Sequence, residues 1–153
     1  MKTPSIKKQA LDKILKNLEA LKSENNPTPD GKVRTVTREL DMLKSSEHMP
    51  SLMVYDGEEL IIDEDERGIT FQFPLTIKLQ FSSPRDLAEI KDVLVPAVQT
   101  VMESDLQLGG LVNWVKGGEE QPFIAEIGKP LGGALLHYQI EYRRMRGNPY
   151  KSY

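Results

Sequence analysis

The chain has no cysteine among its 153 residues, which excludes disulfide staples, a thiolate nucleophile and any cysteine-based zinc site. That composition suits synthesis in a reducing cytosol. Histidine is almost as scarce: the two present, His48 and His137, belong to no HExxH arrangement, and there is no GxSxG elbow. The eleven glycines form neither GxGxxG nor the GxxxxGKS/T phosphate cradle, and Gly128-Lys129 is followed by Pro130. These gaps point away from an enzyme, and no cofactor or metal is expected. There is no apolar run of the roughly 18 residues that a spanning helix needs. The first 26 residues alternate lysines with apolar side chains, unlike the continuous apolar core of a secretion signal. A net charge of -3 supplies no global attraction to nucleic acid or anionic lipid.

Hydrophobic residues make up 39% of the chain, enough to build one core without staples, so one domain over residues 1–142 is expected. Thr3 and Pro4 read as the cap and first position of a helix reaching about Lys22, with Leu11, Ile14, Leu15, Leu18 and Leu21 on one stripe. Residues 23–31 are dense in turn formers, a short strand is expected over Val33 to Thr37, and Glu39 to Pro50 is ambiguous between loop and helical turn. Ser51 to Tyr55 has strand composition. Leu60, Ile61 and Ile62 could add strand residues within an acidic run.

The clearest signal follows. Ile69, Phe71, Phe73, Leu75, Ile77, Leu79 and Phe81 alternate with Thr70, Gln72, Pro74, Thr76, Lys78 and Gln80, so one face of a long strand is apolar and the other polar. Burying seven such side chains is worth on the order of 10 kcal/mol before entropy is charged. Ser83-Pro84 then caps a second helix, striped by Leu87, Ile90, Leu94, Ala97, Val98 and Val101, with Pro96 inside it and a kink expected near Asp92. Residues 108–133 read as a pair of strands joined and flanked by glycine turns, with Val112, Trp114 and Phe123 as packing residues. A final strand alternates Leu136, Tyr138, Ile140 and Tyr142 with polar residues, and a basic tail over 143–153 is expected to be loose. The fold class is therefore α+β, a largely antiparallel or mixed sheet with two helices on one face.

Two segments carry charge worth weighing. The acidic run Asp56, Glu58, Glu59, Asp63, Glu64, Asp65 and Glu66 lacks calcium-loop spacing and reads as solvated. The C-terminal Arg143, Arg144 and Arg146 interleave with tyrosines, as in some nucleic-acid contacts and in protein interfaces. Pro74 cannot donate a ladder hydrogen bond, which implies a bulge or an edge strand. An edge of about 40 Å would invite pairing with another chain, and Thr70, Gln72, Thr76 and Gln80 do little to block it.

The helix from Pro4 to Lys22, the phrase Pro50-Ser51-Leu52-Met53-Val54-Tyr55-Asp56-Gly57-Glu58-Glu59, the long alternating strand, Asp105-Leu106-Gln107-Leu108-Gly109-Gly110 and the Ala134 to Tyr142 ending before arginines carry a resemblance. Together they resemble the tail terminator, or tail-completion, proteins of long-tailed bacteriophages, of the minor tail protein U type. The resemblance implies a subunit of a six-membered ring that caps the tail tube, stops its growth and docks the head. It implies self-association, a tail tube protein and head-tail connector proteins as partners, a place in the virion tail and synthesis in the bacterial cytoplasm. Thr70, Gln72, Thr76, Lys78, Gln80, Arg143, Arg144 and Arg146 are the candidate oligomer or partner contacts. Alternatives are another head-tail joining or tail-tube protein, and a small nucleic-acid-binding module using the basic C-terminus.

Overall fold

The computed structural model describes residues 3–22, 33, 35–38, 50–81, 87–124 and 132–152. Among them are two α-helices, α1 (Ile6–Leu18) and α2 (Leu87–Glu103). Seven strands accompany them: β1 (Thr35–Thr37), β2 (Ser51–Asp56), β3 (Leu60–Glu64), β4 (Gly68–Phe81), β5 (Trp114–Ile124), β6 (Gly132–Met145) and β7 (Asn148–Ser152). The turns expected over 23–31, most of the 39–50 segment, His48 and the Ser83-Pro84 cap lie outside the described residues.

Helix α1 starts two residues later than Thr3-Pro4 predicted. Ser5 is itself a good capping residue, and its Oγ accepts from the Lys8 amide at 3.2 Å, while the Pro4 carbonyl accepts from Gln9 Nε2 at 2.8 Å. Ile6, Ala10, Leu11, Ile14 and Leu18 are buried along one stripe, and a 3-10 turn carries Leu21 into the same core. Helix α2 is continuous through Pro96. Pro96 and Asp92 are both exposed, so the hydrogen bond that the proline cannot donate is lost on the solvent side of the helix. Leu94, Val95, Val98 and Met102 are buried beneath it.

The sheet is mixed, in the order β1-β2-β4-β6-β5, with β3 beside β4 and β7 beside β6; β1 runs parallel to β2 and the other pairings are antiparallel. Its axis is the β4–β6 ladder, unbroken from Gly68↔Met145 to Phe81↔Gly132. The two sequence alternations meet in register there: Phe71 faces Tyr142, Phe73 faces Ile140, Leu75 faces Tyr138, Ile77 faces Leu136 and Leu79 faces Ala134. A shift of one residue would turn both apolar rows outward together, so each row fixes the other. Leu52, Val54 and Val115 join this face, and α1 and α2 cover it.

Three expectations are corrected here. Strand β4 is central, not an edge, despite Pro74. Strand β2 ends where Asp56 pairs Leu75, and β3 begins where Leu60 pairs Gln72, so Pro74 falls at the gap between them. The Pro74 carbonyl accepts from the Gly57 amide at 2.9 Å, so the proline nitrogen, which shares that side, also faces the gap and takes no bond from β6. Second, Gly117-Gly118 does not turn the chain. Both residues have positive φ, and they make a bulge in the single strand β5, between Gly117 and Glu119. A Cβ on Gly117 would stand 2.5 Å from the His137 carbonyl oxygen, so only glycine fits there. Third, residues 143–152 are not a loose tail: Arg143, Arg144 and Met145 belong to β6, and the chain turns at Arg146-Gly147 into β7.

The Asp105 to Gly110 phrase forms the turn after α2. The Asp105 carboxylate accepts from the Gly109 amide at 3.0 Å and from Asn17 Nδ2 at 3.3 Å, tying this turn to α1. Leu108 adopts φ 48°, an uncommon conformation for a branched residue, and its side chain is buried.

Candidate interaction surfaces

The face of the sheet opposite the helices carries the polar row of β4. At one end Thr70 is buried, and its Oγ1 accepts from Arg143 at 3.2 Å. Thr76, half-buried, lies 3.4 Å from His137 Nδ1, whose Nε2 is 2.9 Å from Gln121 Oε1. Gln139 and Lys116 are exposed beside them, and Trp114 is half-buried with Lys116 Nζ 4.5 Å from its ring centroid. Trp114 therefore sits on the second face, and the neighbouring Val115 takes the core position. Towards the far end Lys78 faces Met53, which is only 3% exposed. Gln80 pairs with Ser51 across the strands, and Gln80 Oε1 and Ser51 Oγ are both buried without hydrogen-bond partners among the described residues.

The eight candidate contact residues do not form one surface. Thr70, Gln72, Thr76, Lys78 and Gln80 line the second face, and Arg143 joins them at Thr70. Arg144 pairs with Ile69 and so lies on the helix side, with its guanidinium 5.1 Å from the Phe71 ring centroid. Arg146 sits in the β6–β7 turn.

The arginines meet the acidic run from the other end of the sequence. Arg143 bonds Asp65 at 2.6 Å and Arg146 bonds Glu64 at 3.0 Å, while Arg146 Nε donates to the Asp65 carbonyl at 3.0 Å. Asp65 also accepts from the amides of Arg67 at 2.7 Å and Gly68 at 3.0 Å. The Arg67 amide, the Arg143 guanidinium and the Gly68 amide hold its carboxyl at about 2. The result is a clamp between two adjacent hairpin turns. Among the described residues no group of three or more acidic or histidine side chains could hold a metal ion.

Two further polar contacts pin the junction between β2 and β3. Asp56 bonds Lys7 of α1 at 2.7 Å and Arg38 at 2.9 Å. Burial alone would raise its carboxyl, but the hydrogen bond and charge of Lys7, with the charge of Arg38, outweigh this and lower it. The Tyr142 hydroxyl donates to Glu59, and its ring stacks on Phe71 at 5.3 Å. Burial, then the Glu59 hydrogen bond and charge, raise the Tyr142 phenol well above its ordinary value.

Strand β3 was legible only as a few strand residues; its exposure was not. Leu60, Ile61 and Ile62 are 60%, 57% and 45% exposed, and Ile62 lies in a bulge between Ile61 and Asp63. Two shallow cavities are lined by described residues. One of about 270 Å³ lies at the β5 bulge against His137, Tyr138 and Gln139, and one of about 390 Å³ lies beside Asp65, Glu66, Arg67 and Arg143. His137 stands between Thr76 and Gln121.

No protein-family model matches this chain, and no curated protein matches it. No helix among the described residues is long and apolar enough to cross a membrane.

Proposed function

We propose that this chain is a structural subunit of the bacteriophage tail-terminator type, one member of a closed ring that caps the finished tail tube and offers a joining surface to the head. Catalysis has no part in that role, and no cofactor is needed. The chain is made in the cytoplasm of a bacterial host and resides in the virion tail, of a phage or of a prophage product. Its partners are further copies of itself, six to a ring by the resemblance, together with the tail tube protein and head-tail connector proteins.

The observation that carries this reading is the second face of the sheet. Gln72, Thr76, Gln139, Lys116 and Trp114 spread polar and aromatic groups over strands whose other face is held by two helices. Such a face, stiffened by an unbroken central ladder, suits docking against a flat neighbour. The central position of β4 leaves no free edge on that strand, which favours this face as the joining surface. A nucleic-acid role is disfavoured because Arg143 and Arg146 are already engaged by Asp65 and Glu64.

Sedimentation with negative-stain imaging of the purified chain tests the proposal. Closed rings that bind one end of isolated tail tubes are expected. Open tubes would instead indicate a tube protein, and a strict monomer at high concentration, inert toward tubes, would overturn the reading.

A further inference from the structure

We infer that the outer edge of β3 is a docking site for an extended segment of another protein, aliphatic in its centre and carrying lysine or arginine. Three observations lead there. First, the other outlying strands are blunted more heavily than β3. Strand β7 contains Pro149, its Tyr150 amide is bonded to Asn148 Oδ1 at 3.1 Å, and its Tyr150 carbonyl lies 3.4 Å from Gln9 Nε2. Strand β5 carries the Gly117-Gly118 bulge and Pro122, and β1 has only 3 residues. Proline, bulges and short length are the means by which sheets refuse further strands. Strand β3 has 5 residues, a single bulge at Ile62 and no proline, and among the described residues no strand lies along its outer edge.

Second, its side chains suit a partner. Leu60, Ile61 and Ile62 form an exposed aliphatic run on a strand held to β4 from Leu60↔Gln72 to Glu64↔Ile69. An added strand would gain main-chain hydrogen bonds and bury this run.

Third, charge selects the occupant. Glu58, Asp63 and Glu66 flank the run, all exposed, and among the described residues none has an ion-pair partner. A second copy pairing antiparallel through β3 would set Asp63 and Glu64 of each chain across the same short ladder, and like charges there repel. A basic segment meets the same carboxylates favourably. This inference stands apart from the tail reading, since it requires neither a ring nor a tube.

The probe is a short end-capped peptide of alternating valine and lysine, with two controls: glutamate in place of lysine, and an N-methylated central valine. Binding to the full chain is followed by fluorescence anisotropy and by amide chemical shifts. The valine-lysine peptide is expected to bind, with each control about tenfold or more weaker. Shift changes should centre on residues 58–66. The double variant I61T/I62T keeps strand propensity on an exposed edge, so it should keep its melting temperature and lose about tenfold in affinity. No binding, equal binding of the glutamate peptide, or binding unaltered in I61T/I62T would overturn the inference. So would self-association that I61T/I62T abolishes, because a second copy would then own the edge.

Discussion

Gly57 lies over Pro74: its amide donates to the Pro74 carbonyl at 2.9 Å, and a Cβ at position 57 would stand 2.5 Å from Pro74 Cγ. The proline can sit in a central strand because a glycine turn crosses its donorless side. Gly57→Ala is expected to destabilise the fold by about 1–2 kcal/mol, since the proline ring cannot swing aside. In the Pro74→Ala background the same change should cost less, and a double-mutant cycle by urea unfolding reads the difference. Additive effects would mean that the two residues do not clash.

The Asp65 clamp should respond to acid locally. Its carboxyl is lowered from an ordinary 3.8 to about 2, so its contribution is fully present above 3.8 and is lost as pH falls through about 2. Carboxyl carbon NMR should follow that titration, with faster amide exchange at Arg67 and Gly68 in Asp65→Asn at neutral pH. Unchanged exchange in the variant would show that the turn holds without the carboxylate.

Two buried tyrosines should answer oppositely to loss of their hydroxyls. Tyr138 Oη is buried without a hydrogen-bond partner among the described residues, whereas the Tyr142 hydroxyl is bonded to Glu59. Tyr138→Phe is expected to be neutral or stabilising by up to about 1 kcal/mol, and Tyr142→Phe to destabilise by about 1 kcal/mol. Thermal melts of the two variants decide this. Burial, then the Glu103 charge, pushes Tyr138 up to about 12, so it favours the fold below its ordinary 10.0 and loses that effect as pH rises through about 12. Ultraviolet titration should find phenols resisting ionisation until the chain unfolds.

Gln139 is exposed on the second face, opposite Pro74 and Lys116. Gln139→Arg adds a long cation there and should shift stability by less than about 0.5 kcal/mol. If that face joins subunits, sedimentation should show fewer rings at equal concentration. Normal rings in this variant would move the contact elsewhere.

Much of the fold was legible because period-2 alternation needs only neighbours in sequence. Ile69 to Leu79 and Leu136 to Tyr142 each announced a half-buried strand, and the sheet sets them side by side with their apolar rows on one face. Pro74 misled because sequence does not reveal which side of a strand a nitrogen faces, nor that β2 and β3 would abut there. Gly117-Gly118 misled because a turn and a bulge both call for positive φ. The surfaces were less legible. Arg143 with Asp65 and Arg146 with Glu64 are joined by the pairing of β4 with β6, which no local pattern encodes. The Leu60 to Ile62 run reads in sequence as an ordinary apolar strand, and its exposure follows from a place outside β4 where no other described strand pairs with it.

The β4–β6 ladder also bears on how the chain reaches this state. Its partners lie on the order of fifty or more residues apart in sequence, so the centre of the molecule forms only after long loops close, which slows folding. The β3–β4 and β6–β7 hairpins are local, and both lie at the Gly68–Met145 end of the ladder. That end can nucleate first, with Asp65 and Arg143 drawing the two hairpins together. Zippering would then run towards Phe81 and Gly132 and bring into register the apolar face that the helices cover.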